Sequence, residues 1–409
     1  MPAIRPWWPL AALAAMLLSP GSAPAFDVVL NAQGEYLDAY LMDGTEPPPR
    51  VVFIDPDPPQ PDDPTSKPPR VGRHVNGKMC FFPRGFGPKG GFVIADDTYR
   101  EACLDRATPQ ARCSVTRKGS PLYVGKDPDG WGVFRRSGKW AKRVIHVAVD
   151  GVFSDDNQPP GTIDPQGCAF DAKGNLWATD VGHGGAGGAD GALLVFFPGK
   201  KRRYYTYCFL DKGLGAPGMP VMDEAGHLYV PEPSGARVTK FSPPFPSSAA
   251  DCANPERLVT TPPTRTVFLS AMGTGLATPA GIARAPGSDH LYVGSVLLPT
   301  VVNEYDASGT FVRTIVPVGV PHNPLGIDVG SNGTVYYSEL NLDPATFRPR
   351  CGSVSRVRFD GSGPRTPERL GDHLRFPDGV SVVDSSRLRV TWNTLPTAVD
   401  LDPTRCGGE

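Results

Sequence analysis

The chain has 409 residues, and its 41 lysine and arginine residues nearly balance its 42 aspartate and glutamate residues, for a formal net charge of −1. This balance argues against a nucleic-acid-binding protein, which needs basic side chains to neutralise phosphates. A hydrophobic content of 40% argues against a disordered chain. The 47 glycines and 47 prolines exclude long helical bundles and predict many short strands joined by turns, because helix interiors tolerate neither residue.

Residues 1–25 have the pattern of a cleavable secretory signal. Arg5 provides the positive charge, the run from Trp7 to Leu18 is mostly apolar, and Ala23-Pro24-Ala25 supplies the small residues that signal peptidase needs. The mature chain is expected to start near Phe26 and to be secreted or periplasmic. An uncleaved membrane anchor is the alternative, but the apolar run is shorter than the about 20 residues that span a bilayer. We therefore expect no membrane insertion after signal removal.

Two short segments precede the main domain. Residues 26–54 contain strand-like runs, which are candidates for closing a ring of sheets by pairing with the last blade. Residues 55–70 contain seven prolines in sixteen positions, a composition typical of an extended linker. A ligand for a proline-binding partner is the alternative. The main domain is assigned to residues 71–409.

Eight cysteines lie after the signal segment. An even number of cysteines behind an export signal predicts up to four disulfides, and their connectivity is open. None of the cysteines forms a Cys-x-x-Cys pair, which disfavours a zinc ribbon or a thioredoxin-like redox site. They are Cys80, Cys103, Cys113, Cys168, Cys208, Cys252, Cys351 and Cys406.

A repeated unit runs through the domain. Each unit has a short apolar strand, a polar turn rich in Asp, Gly and Ser, and a second apolar strand, which predicts β-propeller blades. The spacing favours six blades, although the long stretch from Gly91 to Gly174 holds either one enlarged blade or a seventh. The glycines that open the repeats recur at intervals of 51, 63, 45 and 53 residues: Gly167, Gly218, Gly281, Gly326 and Gly379.

The repeat pattern Pro-x-Gly, followed by alternating apolar residues and Asp-x-x-Gly, resembles the NHL repeat. More broadly it is similar to the six-bladed propellers of the SMP-30/gluconolactonase, strictosidine-synthase-like and streptogramin-lyase-like groups. The resemblance implies an all-β, six-bladed NHL/SMP-30-like propeller. It also implies a divalent cation at the mouth of the central channel, because the SMP-30-like lactonases hold one there with Glu, Asn and Asp side chains. Asp378, in Arg375-Phe-Pro-Asp-Gly379, matches their aspartate position.

The ends of the second strands carry further oxygen donors, which are expected to open on the same channel face as the starts of the first strands. Carboxylate and amide oxygens suit a hard cation such as Ca²⁺, which would polarise a carbonyl or phosphoryl oxygen. The alternative is that each acidic side chain hydrogen-bonds its own turn, as we expect for Asp96 and Asp180. The predicted metal ligands are Asp378, Glu232, Glu339 and Asn393.

Two histidines are candidates for moving a proton. His183 lies in the glycine-rich loop 182–191 and His322 precedes a first strand, so both are expected on the channel face. Imidazole is the usual general base near neutral pH. A solvated loop histidine is the alternative for each of them. His227 and His290 are expected in turns of the opposite face and are interpreted as structural.

Two classes of function follow. The first is a metal-assisted hydrolase of the lactonase or esterase type, acting on a small organic substrate, with a lyase as a variant that sequence does not separate from it. The second is a non-catalytic propeller whose channel face binds a protein or a glycan. A monomer is expected in both cases, with no nucleic-acid partner.

Overall fold

The computed structural model describes residues 27–30, 37–40, 51–53, 75–96, 130–134, 140–145, 165–182, 188–199, 204, 206–271, 275–285, 287–297, 299–320, 322–343, 351–375, 377–384 and 387–392. The predicted signal segment and the proline-rich linker lie outside these residues. Within the described ranges, no helix is both long enough and apolar enough to cross a membrane.

The described strands form six large sheets, five with four strands and one with five. The N-terminal strands are β1 (Asp27–Leu30), β2 (Leu37–Tyr40) and β3 (Val51–Phe53). Blade 1 contains β4 (Val75–Phe81), β5 (Phe92–Asp96), β6 (Gly130–Phe134) and β7 (Trp140–Ile145). Blade 2 contains β8 (Pro165–Phe170), β9 (Leu176–Asp180), β10 (Gly191–Phe197) and β11 (Thr206–Leu214). Blade 3 contains β12 (Val221–Met222), β13 (Leu228–Glu232), β14 (Arg237–Ser242) and β15 (Thr264–Ser270), with a 3-10 helix at Ala249–Cys252.

Blade 4 contains β16 (Pro279–Arg284), β17 (Leu291–Ser295), β18 (Val301–Tyr305) and β19 (Phe311–Val316). Blade 5 contains β20 (Pro324–Val329), β21 (Val335–Glu339), β22 (Cys351–Val357) and, after a small hairpin of β23 (Phe359–Asp360) and β24 (Gly363–Pro364), β25 (Glu368–Arg375). Blade 6 joins β26 (Pro377–Asp384) and β27 (Arg387–Trp392) to the N-terminal β2, β1 and β3.

The first strand of each blade packs against the first strand of the next, in the order β4, β8, β12, β16, β20, β26 and back to β4. This closed ring confirms the predicted all-β propeller. The strands described between residues 75 and 145 belong to a single sheet, blade 1.

A ring of glycines surrounds the channel and explains the period of the repeat. A side-chain carbon on any of these glycines would come within 1.7 to 2.6 Å of an atom of the following blade. Real contacts are never that short, so only glycine lets the six inner strands approach one another. Five members were recognised from the sequence, and Gly77 of blade 1 is the sixth. The ring consists of Gly77, Gly167, Gly218, Gly281, Gly326 and Gly379.

The core consists of apolar clusters between neighbouring blades. Between blades 1 and 2, for example, Trp131 and Phe196 are buried with their ring centroids 5.4 Å apart. The second strands of blades 2, 3, 4 and 5 are buried along their whole length, which explains why each begins with three consecutive apolar residues rather than an alternating pattern.

In the described part of the chain, two disulfides also link neighbouring blades. Cys80 of β4 is bonded to Cys168 of β8, which joins the inner strands of blades 1 and 2. Cys208 of β11 is bonded to Cys252, which joins the outer strand of blade 2 to the 3-10 helix of blade 3. The prediction of a disulfide-containing propeller is therefore confirmed. Cys103, Cys113 and Cys406 lie outside the described residues.

Candidate functional site

The channel face is defined by the starts of the first strands and the ends of the second strands. In blades 2, 4 and 5 these two positions are direct partners in the antiparallel ladder: Pro165 with Asp180, Pro279 with Ser295, and Pro324 with Glu339. Residues at the ends of the second strands therefore lie beside the loops that enter the first strands.

Side chains at the ends of the second strands hold these loops in place. Asp180 is 4% exposed and accepts a hydrogen bond from the Gly182 amide at 3.0 Å. Ser295 is fully buried and accepts one from the Thr278 amide at 3.1 Å. The position thus has a local structural role in both blades, because it satisfies backbone donors of the channel-face loops.

Glu232 of blade 3 is fully buried, and several donors surround its carboxylate. Arg237 donates to the two oxygens at 3.0 and 2.7 Å, the Gly215 amide donates at 2.8 Å, and the Thr239 hydroxyl also donates. Burial acts to raise the pKa of Glu232, but the hydrogen bonds from these donors outweigh it and lower the pKa below its ordinary value. Glu232 is therefore an ionised residue paired with an arginine inside the blade.

Glu339 of blade 5 has a closely related arrangement. Its Oε1 accepts the His322 amide at 3.0 Å, and its Oε2 accepts the hydroxyls of Ser353 and Ser355 at 2.5 and 2.9 Å. The side chain is 2% exposed. Glu339 thus connects the second and third strands of its blade to the loop that carries His322.

Asp378 lies on β26 directly before the glycine of the ring in blade 6. Its Oδ2 accepts a hydrogen bond from the Gly77 amide of blade 1 at 2.5 Å, and the residue is 3% exposed. The aspartate that matches the lactonase pattern therefore contacts the backbone of the neighbouring blade.

The three described carboxylates already have protein partners of their own. They belong to blades 3, 5 and 6, and Glu232 pairs with a guanidinium group that would repel a cation. Across the described ranges, no group of three or more His, Cys, Asp or Glu side chains is arranged to hold a metal ion. The fourth predicted ligand, Asn393, and the predicted general base His183 lie outside these ranges. The calcium site stays a prediction.

His322 is the predicted catalytic residue whose position the structure shows. It is exposed on the channel face, between blades 4 and 5. Its amide donates to Glu339 at 3.0 Å and its carbonyl accepts from the Asn341 amide at 2.8 Å. The imidazole is therefore carried by a backbone segment fixed on both sides.

Hydrogen bonds also connect the neighbouring loops on this face. Asn323 donates through Nδ2 to the Val296 carbonyl at 2.8 Å and accepts the Leu342 amide at 2.8 Å. Asn323 and Asn341 have φ of 63° and 52°, a left-handed conformation that asparagine adopts more readily than most residues. The loops of blades 4 and 5 thus form one hydrogen-bonded rim.

An ion pair near the channel was not predicted from the sequence. Lys78 of blade 1 lies 2.6 Å from Asp328 of blade 5, and the two side chains are 20% and 15% exposed. The signal was weak because Lys78 follows Gly77, the one ring glycine that has no proline one or two residues before it. Asp328 alternates with apolar residues in an ordinary strand pattern.

The turn histidines of the opposite face have structural contacts. His227 Nδ1 lies 2.8 Å from Asp223 Oδ2, which also accepts the Tyr229 hydroxyl at 3.1 Å. His290 Nδ1 lies 2.7 Å from Glu304 Oε1. These contacts agree with the structural interpretation of both residues.

No protein-family model matches the chain, and no curated protein matches it. Among solved structures, virginiamycin B lyase from Staphylococcus aureus aligns over 92% of this chain and 97% of its own, at 10% identity and a TM-score of 0.44. A gluconolactonase from Xanthomonas campestris aligns over 85% of this chain and 99% of its own, at 13% identity and a TM-score of 0.41. A nidogen/laminin complex aligns over 47% of this chain at 15% identity and a TM-score of 0.35, and this chain spans 63% of the matched chain. Similarities at this level assign no activity to the chain.

Proposed function

We propose that this protein is a β-propeller that binds a protein partner on the channel-face loops of blades 4 and 5. The observation that carries the proposal is an exposed apolar turn beside His322. Val318 and Val320 are 65% and 45% exposed. They belong to the turn that connects blade 4 to blade 5. We call Val318, Val320 and His322 the apex surface.

The apex surface is held rigidly. The Val320 amide donates to the Pro317 carbonyl at 3.1 Å, and Gly319, with φ of 80°, supplies the left-handed residue that this turn needs. The Gly319 amide donates to the Thr300 carbonyl of blade 4 at 3.0 Å. A surface that is already ordered loses little conformational entropy on binding, so its exposed apolar side chains contribute efficiently.

The chemistry of the apex surface favours a protein over a glycan. Branched aliphatic side chains bury well in an apolar pocket of another protein. Val318 and Val320 are two of the five large apolar side chains that are exposed in the described part of the chain, and they share one turn at the channel-face end of blade 4. Phe311 pairs with Tyr305 at the opposite end of that blade.

Site-specific photocrosslinking in the cells that produce the protein tests this proposal. A photoreactive residue is placed at Val318, at Val320 or, as a control, at Glu224, whose side chain is 71% exposed in a blade 3 turn of the opposite face. Adducts of one defined mass at both valine positions and none at Glu224 are expected. No adduct, or equal adducts at all three positions, would contradict the proposal.

A metal-assisted hydrolase is the second candidate. The resemblance of the repeat to lactonases supports it, and so does the exposed, backbone-anchored imidazole of His322. In this reading His322 takes a proton from the water that attacks a lactone or ester carbonyl. The predicted ligands of the cation are Asp378, Glu232, Glu339 and Asn393.

Hydrolysis of δ-gluconolactone and p-nitrophenyl acetate separates the two candidates. A hydrolase would turn over one of these probes, and its activity would be lost with a chelator and restored by Ca²⁺. The His322→Ala substitution would lower its turnover rate at least about tenfold. The protein-binding proposal expects no turnover and no effect of Ca²⁺ on the melting temperature. The metal content of the purified mature protein is an independent test of the hydrolase candidate.

We also propose that the protein acts outside the cytoplasm, and the two disulfides support this because such bonds persist in oxidising compartments. N-terminal sequencing of the exported form is expected to begin near Phe26. A cytoplasmic product that retains Met1 would contradict it.

A further inference from the structure

The propeller closes where blade 6 meets blade 1. Blade 6 combines β26 and β27 with strands from the other end of the chain, and β2 pairs with β27 through partners such as Leu37 and Val390. Closing a sheet from segments so distant in sequence costs loop entropy, which the contacts at the closure must offset. The β2–β27 pairing therefore closes the ring on the outer side of blade 6.

A second set of contacts joins the inner strands at the same closure. The Gly77 amide of β4 donates to Asp378 Oδ2 at 2.5 Å, and the Met79 amide donates to Ser381 Oγ at 2.8 Å. The inner strands β4 and β26 belong to different sheets and share no ladder hydrogen bonds. Side chains of β26 therefore supply the acceptors for backbone donors of β4.

Blade 5 contributes to this closure through Asp328. One oxygen of its carboxylate lies 2.6 Å from Lys78 Nζ on blade 1, and the other accepts the Val382 amide of blade 6 at 2.7 Å. One carboxylate thus contacts both blades that flank the closure. Because the pair is only partly exposed, solvent and salt screen it less than a surface pair.

We propose that Lys78, Asp328, Asp378 and Ser381 form one inner latch, which keeps blades 5, 6 and 1 closed around the channel in addition to the outer strand pairing. The latch acts as a unit, because three of its side chains accept backbone amides of the inner strands β4 and β26, and the fourth, Lys78, contacts the carboxylate of Asp328. Between blades 2 and 3, by contrast, a neutral hydroxyl donates: that of Thr179, on the second strand β9, to the Gly218 carbonyl at 2.7 Å.

Amide hydrogen exchange on the full mature chain tests the latch, with the amides of Gly77, Met79 and Val382 as reporters. Each variant removes one contact of the latch. Exchange is then measured at those reporter amides whose own hydrogen-bond acceptors the substitution leaves in place. Lys78→Met is read at Gly77 and Met79, and Ser381→Ala is read at Gly77 and Val382. Exchange at these amides is expected to rise at least about tenfold if the contacts open together.

The control is Thr179→Val, which removes the neutral contact between blades 2 and 3 and should leave all three reporters unchanged. The amides of Phe209 and Val259, which pair with partners at the outer edge of blades 2 and 3, report on global opening. The latch is wrong if only the amide that lost its acceptor responds, or if Phe209 and Val259 respond equally. Lys78→Met keeps the test available if the serine variant does not fold.

Discussion

The carboxylate of Asp378 accepts a hydrogen bond at 2.5 Å from the backbone amide of Gly77, a residue 301 positions earlier in the chain. The two residues belong to the last and first inner strands, so this bond crosses the point where the ring closes. Gly77 is also one of the six ring glycines. The residue that sequence similarity marks as a metal ligand therefore contacts the backbone at the closure of the ring.

The glycine ring gives a direct stability prediction. A side-chain carbon at Gly326 would lie 2.4 Å from the Asp378 carbonyl oxygen and 2.7 Å from the Val380 nitrogen. Because both atoms belong to the backbone, neither can rotate away, and Gly326→Ala is expected to lower the free energy of unfolding by about 3 kcal/mol. Urea unfolding at equilibrium measures this change.

Gly361 provides the matched control for that substitution. It lies in an exposed turn with no atom within 4 Å of the position of an added carbon. Gly361→Ala should change the unfolding free energy by less than about 0.5 kcal/mol. Similar losses in the two variants would show that the ring is not closely packed.

Glu232 gives a prediction about pH. Glu232→Gln removes the charge that pairs with Arg237 and weakens the contacts with Gly215 and Thr239, at an expected cost of about 2 kcal/mol at pH 7. The folded pKa is lower than the ordinary value of 4.5. The stabilisation is therefore fully present above about pH 4.5 and is lost as the pH falls through the folded pKa.

The measurement compares urea unfolding of the wild type and Glu232→Gln at pH 7 and pH 3, and the difference between them should shrink at the lower pH. Glu224→Gln, at a surface acid that is 71% exposed and paired with Arg284, should have little effect at either pH. A difference for Glu232→Gln that is constant with pH would contradict the assignment of an ionised, arginine-paired carboxylate.

The repeat could be read from the sequence because the ring imposes one residue type at one position of each blade. Gly77 was not recognised because no proline stands one or two residues before it, whereas a proline does so at each of the other ring glycines. The roles of Glu232 and Glu339 could not be read in the same way. Their positions follow the repeat, but their partners come from other strands and loops, and local sequence does not encode which donors folding will bring to a carboxylate.

The two disulfides predict an order of stability losses. Cys80 and Cys168 are 88 residues apart and Cys208 and Cys252 are 44 apart. Cross-linking a longer loop removes more entropy from the unfolded chain, so replacing the first pair by alanines should cost about 0.6 kcal/mol more than replacing the second. Thermal and urea unfolding of the two double variants measure the order, with each protein under reducing conditions as the reference. A larger loss from the Cys208/Cys252 replacement would show that native packing, rather than loop length, controls the contribution.

Glu339 links the interior of blade 5 to the apex surface. Its Oε1 accepts the His322 amide at 3.0 Å, so Glu339→Ala leaves this loop donor without its acceptor and is expected to raise exchange of the His322 amide at least about tenfold. The yield of photocrosslinked adduct at Val318 should fall in the same variant, because a less ordered turn loses more conformational entropy on binding.

Glu339→Gln keeps an acceptor oxygen and should restore most of both signals. Ser295→Ala, which removes the equivalent tie to Thr278 in blade 4, serves as the control and should leave His322 exchange unchanged. An adduct yield that stays constant while His322 exchange rises would separate loop order from binding and count against the apex surface as the docking site.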